Sequence, residues 1–155
     1  MDAVFKTEQG IFNYRVVGVL VKEGHILIHK SVNDSNWSLP GGRVKILEQA
    51  QNGLQRELQE ELGIDVQIER LLWSVENFFK YNEDNFHEIG FYYQVSTDKD
   101  YEINSNQFYG IEGESLIYKW VPIAQLDEVD LYPEFIKTEI KDITHYPKHI
   151  VVKDC

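Results

Sequence analysis

The sequence predicts a single α/β domain spanning residues 1–155, a β-rich body with two helices set against it. Three features lead there. A Val- and Ile-rich run is interrupted once by Glu23-Gly24; leucines recur at helical spacing through the stretch around Gly53; and no repeat, low-complexity segment or Pro/Gly/Ser linker divides the chain. At 155 residues, 43% hydrophobic and 26% charged, the chain has the length and composition to bury one core.

Tyr14 to Lys30 reads as a β-hairpin, because β-branched residues favour a pleated surface and Glu23-Gly24 suits a tight turn. Ser31 to Gly42, "SVNDSNWSLPGG", is turn-forming, and its Pro-Gly-Gly end gives a loop whose backbone can approach a ligand closely. From Ile46 to Leu62 the pattern is helical, with Leu47, Leu54, Leu58 and Leu62 on one stripe and Gly63 at the expected stop. "DVQIERLLWSVENFFKY" and "FHEIGFYYQVS" read as two strands around a polar turn at Asn82 to Asn85. Thr97 to Leu116 lacks a clear period and is expected to be a long, functional loop. A strand then runs to Pro122, and Phe135, Ile136, Ile140 and Ile143 predict a second helix entered through Pro133.

The formal net charge of -11 argues against a broad grip on polymeric nucleic acid or on an anionic membrane. The lone cysteine, Cys155, cannot form an internal disulfide, and neither a signal-like N-terminus nor a membrane-length apolar run is present. A cytoplasmic protein is the expectation.

The chemistry is concentrated in "GLQRELQEELGI", Gly53 to Ile64. Glu57, Glu60 and Glu61 crowd a sector of the helix beside the leucine stripe, where like charges three and four residues apart repel. One reading is a solvated helix face. The other is a site for a hard divalent cation, for which i, i+3, i+4 spacing would bring three carboxylates to one point and for which, without the ion, mutual repulsion would raise their pKa values.

Gly42 to Ile64 has the form G-x5-E-x7-R-E-U-x-E-E-x-G-U, U being aliphatic, with Gly42, Glu48, Arg56, Glu57, Leu58, Glu60, Glu61, Gly63 and Ile64 filling every specified place. This resembles the Nudix box of the MutT-like Nudix hydrolase family, and the preceding "WSLPG" is similar to its usual lead-in. The resemblance implies an α/β/α sandwich with a mixed central β-sheet between helices. It also implies metal-dependent hydrolysis of a pyrophosphate bond in a nucleoside diphosphate linked to another moiety, using Mg²⁺ or Mn²⁺. By motif position Glu60 and Glu61 look like the principal metal ligands and the Gly41 carbonyl like another. Glu57 looks like a further ligand or the base, and Arg56 and Glu48 look like supports of the site, with Gly42 opening the box. An exposed ion pair is the rival reading of Arg56.

Beyond the box, Glu114 and Glu112, ahead of Trp120, resemble the loop glutamate with which family members often complete the site; a solvated loop acid is the alternative for each. Glu88 is a third candidate, read more readily as a strand acid facing water, and His87 is read as structural. Arg15, Lys30 and Arg43 are candidates to reach phosphate or ribose, and Phe78, Phe79, Tyr81, Phe108 and Tyr109 to stack on a base. Tyr81 also resembles a tyrosine linked to diadenosine polyphosphate hydrolases. The implied partner is a small nucleotide, and family relatives are often homodimers. A non-catalytic Nudix-like domain that senses a nucleotide or sugar phosphate is the alternative function, against which the complete acid set stands.

Overall fold

The structure, a computed structural model, describes residues 1–154; Cys155 lies outside the described residues. Nine strands and two α-helices follow one another as β1 (Val4–Lys6), β2 (Ile11–Lys22), β3 (His25–Ser31), β4 (Gly41–Arg43), α1 (Ala50–Leu62), β5 (Gln67–Tyr81), β6 (Asp84–Ser96), β7 (Phe108–Tyr109), β8 (Leu116–Pro122), α2 (Phe135–Glu139) and β9 (Lys148–Lys153), with a 3₁₀ turn at Ile123–Glu128 before α2. The strands form one sheet in the order β7-β8-β3-β2-β6-β5-β9, with β1 and β4 also paired to β2. The pairs β2/β6 and β5/β9 are parallel and the others antiparallel, so the mixed central sheet is as expected.

Strand alternation sends β2 to both sides of the sheet. Val16 and Leu20 face α1 and pack with Leu54, Leu58 and Leu62, while Val17 and Val19 face the opposite layer, where Leu126, Leu131, Ile136 and Ile140 cover them. Each fully buried leucine of α1 contributes about 2 kcal/mol by leaving water, which ties the helix and its acids to β2. The helix stops where expected: Gly63 adopts φ 66° and its N–H caps Gln59 O.

The sequence reading misplaced some boundaries. The helix begins at Ala50, not Ile46, and Leu47 is no part of the stripe: it is fully exposed at φ 68°. The turn before α1 is instead held by Glu48, whose carboxylate accepts the Lys45 N–H at 3.0 Å. Gly41 and Gly42 belong to a strand, β4, where the reading had a loop, and β1 and β9 were not foreseen. The second helix ends at Glu139, with Ile140 as its cap, and Ile143 is partly exposed. No helix of the described residues is long and apolar enough to cross a membrane.

Candidate active site

Arg56 organises the box. Its Nε and Nη2 donate to the two oxygens of Glu48 at 2.8 and 3.0 Å, Nη1 donates to Glu57 Oε1 at 2.9 Å and to Glu60 Oε2 at 3.3 Å, and Nη2 also reaches Arg43 O at 3.1 Å. This planar fork is mostly buried, with 20% of the side chain exposed, which removes the reading of a loose surface pair. Hydrogen bonds from Arg56 hold the Glu48 carboxyl down to about 2 and push the guanidinium up.

Glu57 and Glu61, one turn apart, bring their carboxylates within hydrogen-bonding reach of each other, and burial together with the charge of Glu57 drives the Glu61 pKa well above the usual carboxylate range. Tyr118 on β8 donates its hydroxyl to Glu61 Oε2 at 3.2 Å. Gly42 lies against the Glu57 carboxylate so closely that a Cβ there would overlap it. Glu57, Glu61, Gly41 and Gly42 line one cleft with Arg15 and Arg43.

The three carboxylates do not meet at one point. Glu60 is about half exposed and is drawn to Arg56, because at 100° per residue Glu57 and Glu61 share a face and Glu60 lies to one side of it. Among the described residues no group of three His, Cys, Asp or Glu is arranged to hold a metal. The pair nonetheless suits a hard cation: it offers oxygen donors only, beside a backbone strand, with more negative charge than its surroundings neutralise.

The loop acids separate. Ile111 N–H donates to Glu61 O at 2.8 Å, pinning the loop to the end of α1, and the neighbouring Glu112 adds its charge to the burial and the Glu61 carboxylate that hold the Tyr118 hydroxyl protonated. Glu112 and Glu114 are both exposed and neither makes a hydrogen bond or ion pair among the described residues, but only the charge of Glu112 reaches Tyr118.

A second cavity, of about 550 Å³, opens beside the first, and Arg15, Arg43, Asp34, Asn36 and Ser38 line both. Its walls include Phe79, Phe86, Trp37 and Tyr132. Tyr81 stands at the rim, its hydroxyl donating to Asp34 at 3.2 Å. Of the aromatic candidates only Phe79 and Tyr81 line this cavity; Phe78 packs on His87, whose ring also meets Phe12, and Phe108 stacks on Tyr118. Lys30 lines the acidic cleft with its ammonium 5.2 Å from the Trp37 ring centre.

Glu88 corrects the reading of a water-facing strand acid. It is buried at 7% exposure on the face of the sheet that carries Tyr92, and its Oε2 accepts from Asn13 Nδ2 at 2.9 Å. Burial raises its pKa against the pull of Arg15, Asn13 and Arg43. Asn13, Asn77 and His29, all buried, were missed as well. The available signal was phase: Asn13 alternates with Val17 and Val19, and Asn77 with Trp73 and Val75, so polar residues occupy inward positions of apolar strands.

Residues 13–141 match the NUDIX domain. The chain belongs to the NUDIX family. A MutT-like protein of Streptomyces ambofaciens is 35% identical over 66 residues, a match spanning 42% of this chain and less than half, 43%, of that protein. An 8-oxo-dGTP diphosphatase of Buchnera aphidicola is 29% identical over 115 residues, covering 72% of this chain and 78% of the relative. Among solved structures, the MutT protein of Bacillus halodurans superposes with a TM-score of 0.65 at 16% identity, covering 90% of this chain and 86% of that one, a likeness of Nudix fold.

Proposed function

We propose that this Nudix protein hydrolyses the phosphoanhydride bond of a nucleoside diphosphate derivative, with a divalent cation, Mg²⁺ or Mn²⁺, held at the Glu57–Glu61 pair. The observation that carries this is the pair itself, two crowded carboxylates fixed by Arg56 and Tyr118 at the floor of a cleft that also holds two arginines. The Gly41 carbonyl is assigned as a further ligand, and Glu60, at the rim, as a ligand or as the residue that tunes Arg56. When bound, the cation supplies charge neutralisation for phosphate and acidifies water.

The chain's own residues do the rest. Arg15 and Arg43, where the two cavities join, are placed to take phosphate oxygens, and this local positive charge offsets the repulsion a polyanion meets from a protein of net charge -11. In the reaction a water oxygen forms a bond to phosphorus as the bridging P–O bond breaks and the freed phosphate leaves. The water's proton passes to a carboxylate, for which Glu57, Glu112 and Glu114 are the candidates. Arg56 acts as a positioning residue, keeping Glu57 and Glu48 in fixed rotamers.

The test is phosphate or nucleotide release from a panel of nucleoside triphosphates and nucleoside diphosphate sugars with Mg²⁺ and with Mn²⁺. Metal-dependent turnover of at least one substrate supports hydrolysis. Nucleotide binding without turnover across the panel would favour the sensor alternative.

A further inference from the structure

The larger cavity has a polar row across its floor. In the sheet, Asn13 of β2 is registered beside Glu88 of β6, and Glu88 faces Asn77 of β5, so three strands place three polar side chains in line on one face. Directly opposed cross-strand residues hold their Cβ atoms about 4.5–5.5 Å apart, so Glu88 and Asn77 act as one unit. On one side of this row lie Phe86 and Phe79, stacked with ring centres 5.0 Å apart and planes 7° apart; on the other, Arg15 is registered with Gly90, which adds no side chain to the floor.

Asn13 is committed at both polar atoms, whereas Glu88 and Asn77 each have one committed and one free. Glu88 Oε2 takes the Asn13 amide, Asn13 Oδ1 takes Arg43 Nε at 2.7 Å, and Asn77 Oδ1 takes the Tyr132 hydroxyl at 2.9 Å. Glu88 Oε1 and Asn77 Nδ2 have no partner among the described residues, and neither is sealed from the cavity. What remains toward the cavity is therefore an acceptor beside a donor, at the foot of an aromatic wall. Arg15 and Arg43 already bring positive charge to Glu88 and pull against its burial, so the cavity does not call for a further cation. It suits a neutral planar group carrying an N–H next to an acceptor. The ring N–H of a lactam is the most acidic donor a natural base offers at such an edge, and hence the strongest partner for a buried carboxylate.

We propose that this cavity binds a heterocyclic base by a lactam edge, the ring N–H donating to Glu88 Oε1 and the adjoining carbonyl accepting from Asn77 Nδ2. Guanine, hypoxanthine and uracil are then taken in preference to adenine and cytosine. The inference deepens the proposed hydrolysis by naming the substrate's base, and it rests on that reading only for the direction in which the phosphates leave the cavity, past Arg15 and Arg43 toward the acidic cleft.

The test uses free nucleosides, which need neither metal nor turnover. The full chain is titrated with guanosine, inosine, uridine, adenosine and cytidine and followed by NMR at the backbone amides of Asn13, Asn77 and Gly90. The first three should bind at least about tenfold more tightly than the last two, with shifts centred on those residues. Glu88→Gln sharpens the outcome. Because Asn13 donates to the inner oxygen, the glutamine must keep its oxygen there and turn its NH₂ to the cavity, so the acceptor becomes a donor and the preference should collapse or invert. Asn77→Leu, with the same panel, should weaken the lactam nucleosides selectively. Equal binding of all five, shifts elsewhere, or a preference that survives Glu88→Gln in a folded protein overturns the proposal. Parallel hydrolysis of the nucleoside triphosphate and diphosphate-sugar panel separates the two readings: guanosine preference without turnover of any member leaves the base site standing and removes the hydrolase, whereas turnover with indifferent nucleoside binding does the reverse.

Discussion

Tyr118 donates its hydroxyl to Glu61 across 3.2 Å, a link between the last long strand of the sheet and the acidic helix. It holds one of two crowded carboxylates in place from outside the Nudix box, and it makes the state of that pair measurable by substitution.

Glu61→Gln and Glu57→Gln should each lower turnover at least about a hundredfold, since each removes charge from the site where phosphate is neutralised. Glu61→Gln also relieves like-charge crowding without touching Arg56, so in EDTA it should melt about 1–2 °C above the parent, the shift that roughly 0.5 kcal/mol produces in a domain of this size, whereas Glu57→Gln gives up its bond to Arg56 and should show no such gain. Added Mg²⁺ should stabilise the parent and not Glu61→Gln. Thermal melts in EDTA and in millimolar Mg²⁺, together with initial rates, check all three. Activity near that of the parent under limiting Mg²⁺ would remove the pair from the metal site.

Gly42→Ala should cost activity with little loss of fold. A Cβ there overlaps the Glu57 carboxylate, so the glutamate must swing away from Arg56 and from Glu61. The expected result is a kcat decrease of at least about tenfold with the far-UV CD spectrum unchanged, the pattern of an interaction realised in the transition state.

Gly53→Ala would ordinarily stabilise a helix interior by about 0.5–1 kcal/mol. Here the new methyl would lie 2.8 Å from Glu48 Oε1, which is locked by Arg56. No gain in Tm is expected, and kcat should fall because the guanidinium loses its bidentate partner. Melting and rate measurements on the one variant decide both points.

His29 is buried and held neutral, its pKa lowered to about 3 by burial and by the nearby positive charge of Arg15. Its ordinary value is 6.5, so the unfolded chain binds the extra proton first. The stability this residue contributes is therefore complete above pH 6.5 and is lost progressively as pH falls toward 3. Replacing His29 by Gln should flatten the fall of denaturation midpoint with pH between those limits. An unchanged slope would place the acid sensitivity elsewhere.

Glu112→Gln should reduce kcat more than Glu114→Gln. The loop is tied to α1 through Ile111, and of its two exposed acids only Glu112 brings its charge to bear on Tyr118. If Glu57→Gln is the costliest of the three and both loop variants turn over normally, the base is on the helix.

The acidic half of the candidate site was legible because it is local. Arg56, Glu57, Glu60 and Glu61 lie within two turns of one helix, so spacing alone fixes most of their mutual geometry, and Gly63 marks its end. The same angular spacing sets Glu60 to one side of the Glu57–Glu61 face, where it bonds to Arg56. The polar row of the larger cavity was hidden because it is assembled across strands far apart in sequence. Asn13 and Glu88 meet only through the parallel β2/β6 pairing, and nothing in a linear reading says which strands will be neighbours. Short elements were lost for a related reason: β1 and β4 hold three residues each, too few to display a period, and the glycines of β4 mimic a turn.

Asn77 and Glu88 oppose each other because of a turn that neither touches. Asn82 and Glu83 both adopt left-handed backbone conformations, φ 49° and 70°, closing the tight hairpin from which the ladder counts back to that pair. Adding or removing one residue there would turn every side chain of one strand to the opposite side, sending Glu88 outward and His87 inward. Ligand choice in this protein is thus heritable at a solvent-exposed bend, where a single codon gained or lost rewrites the lining of a cavity while the acidic helix continues unaltered.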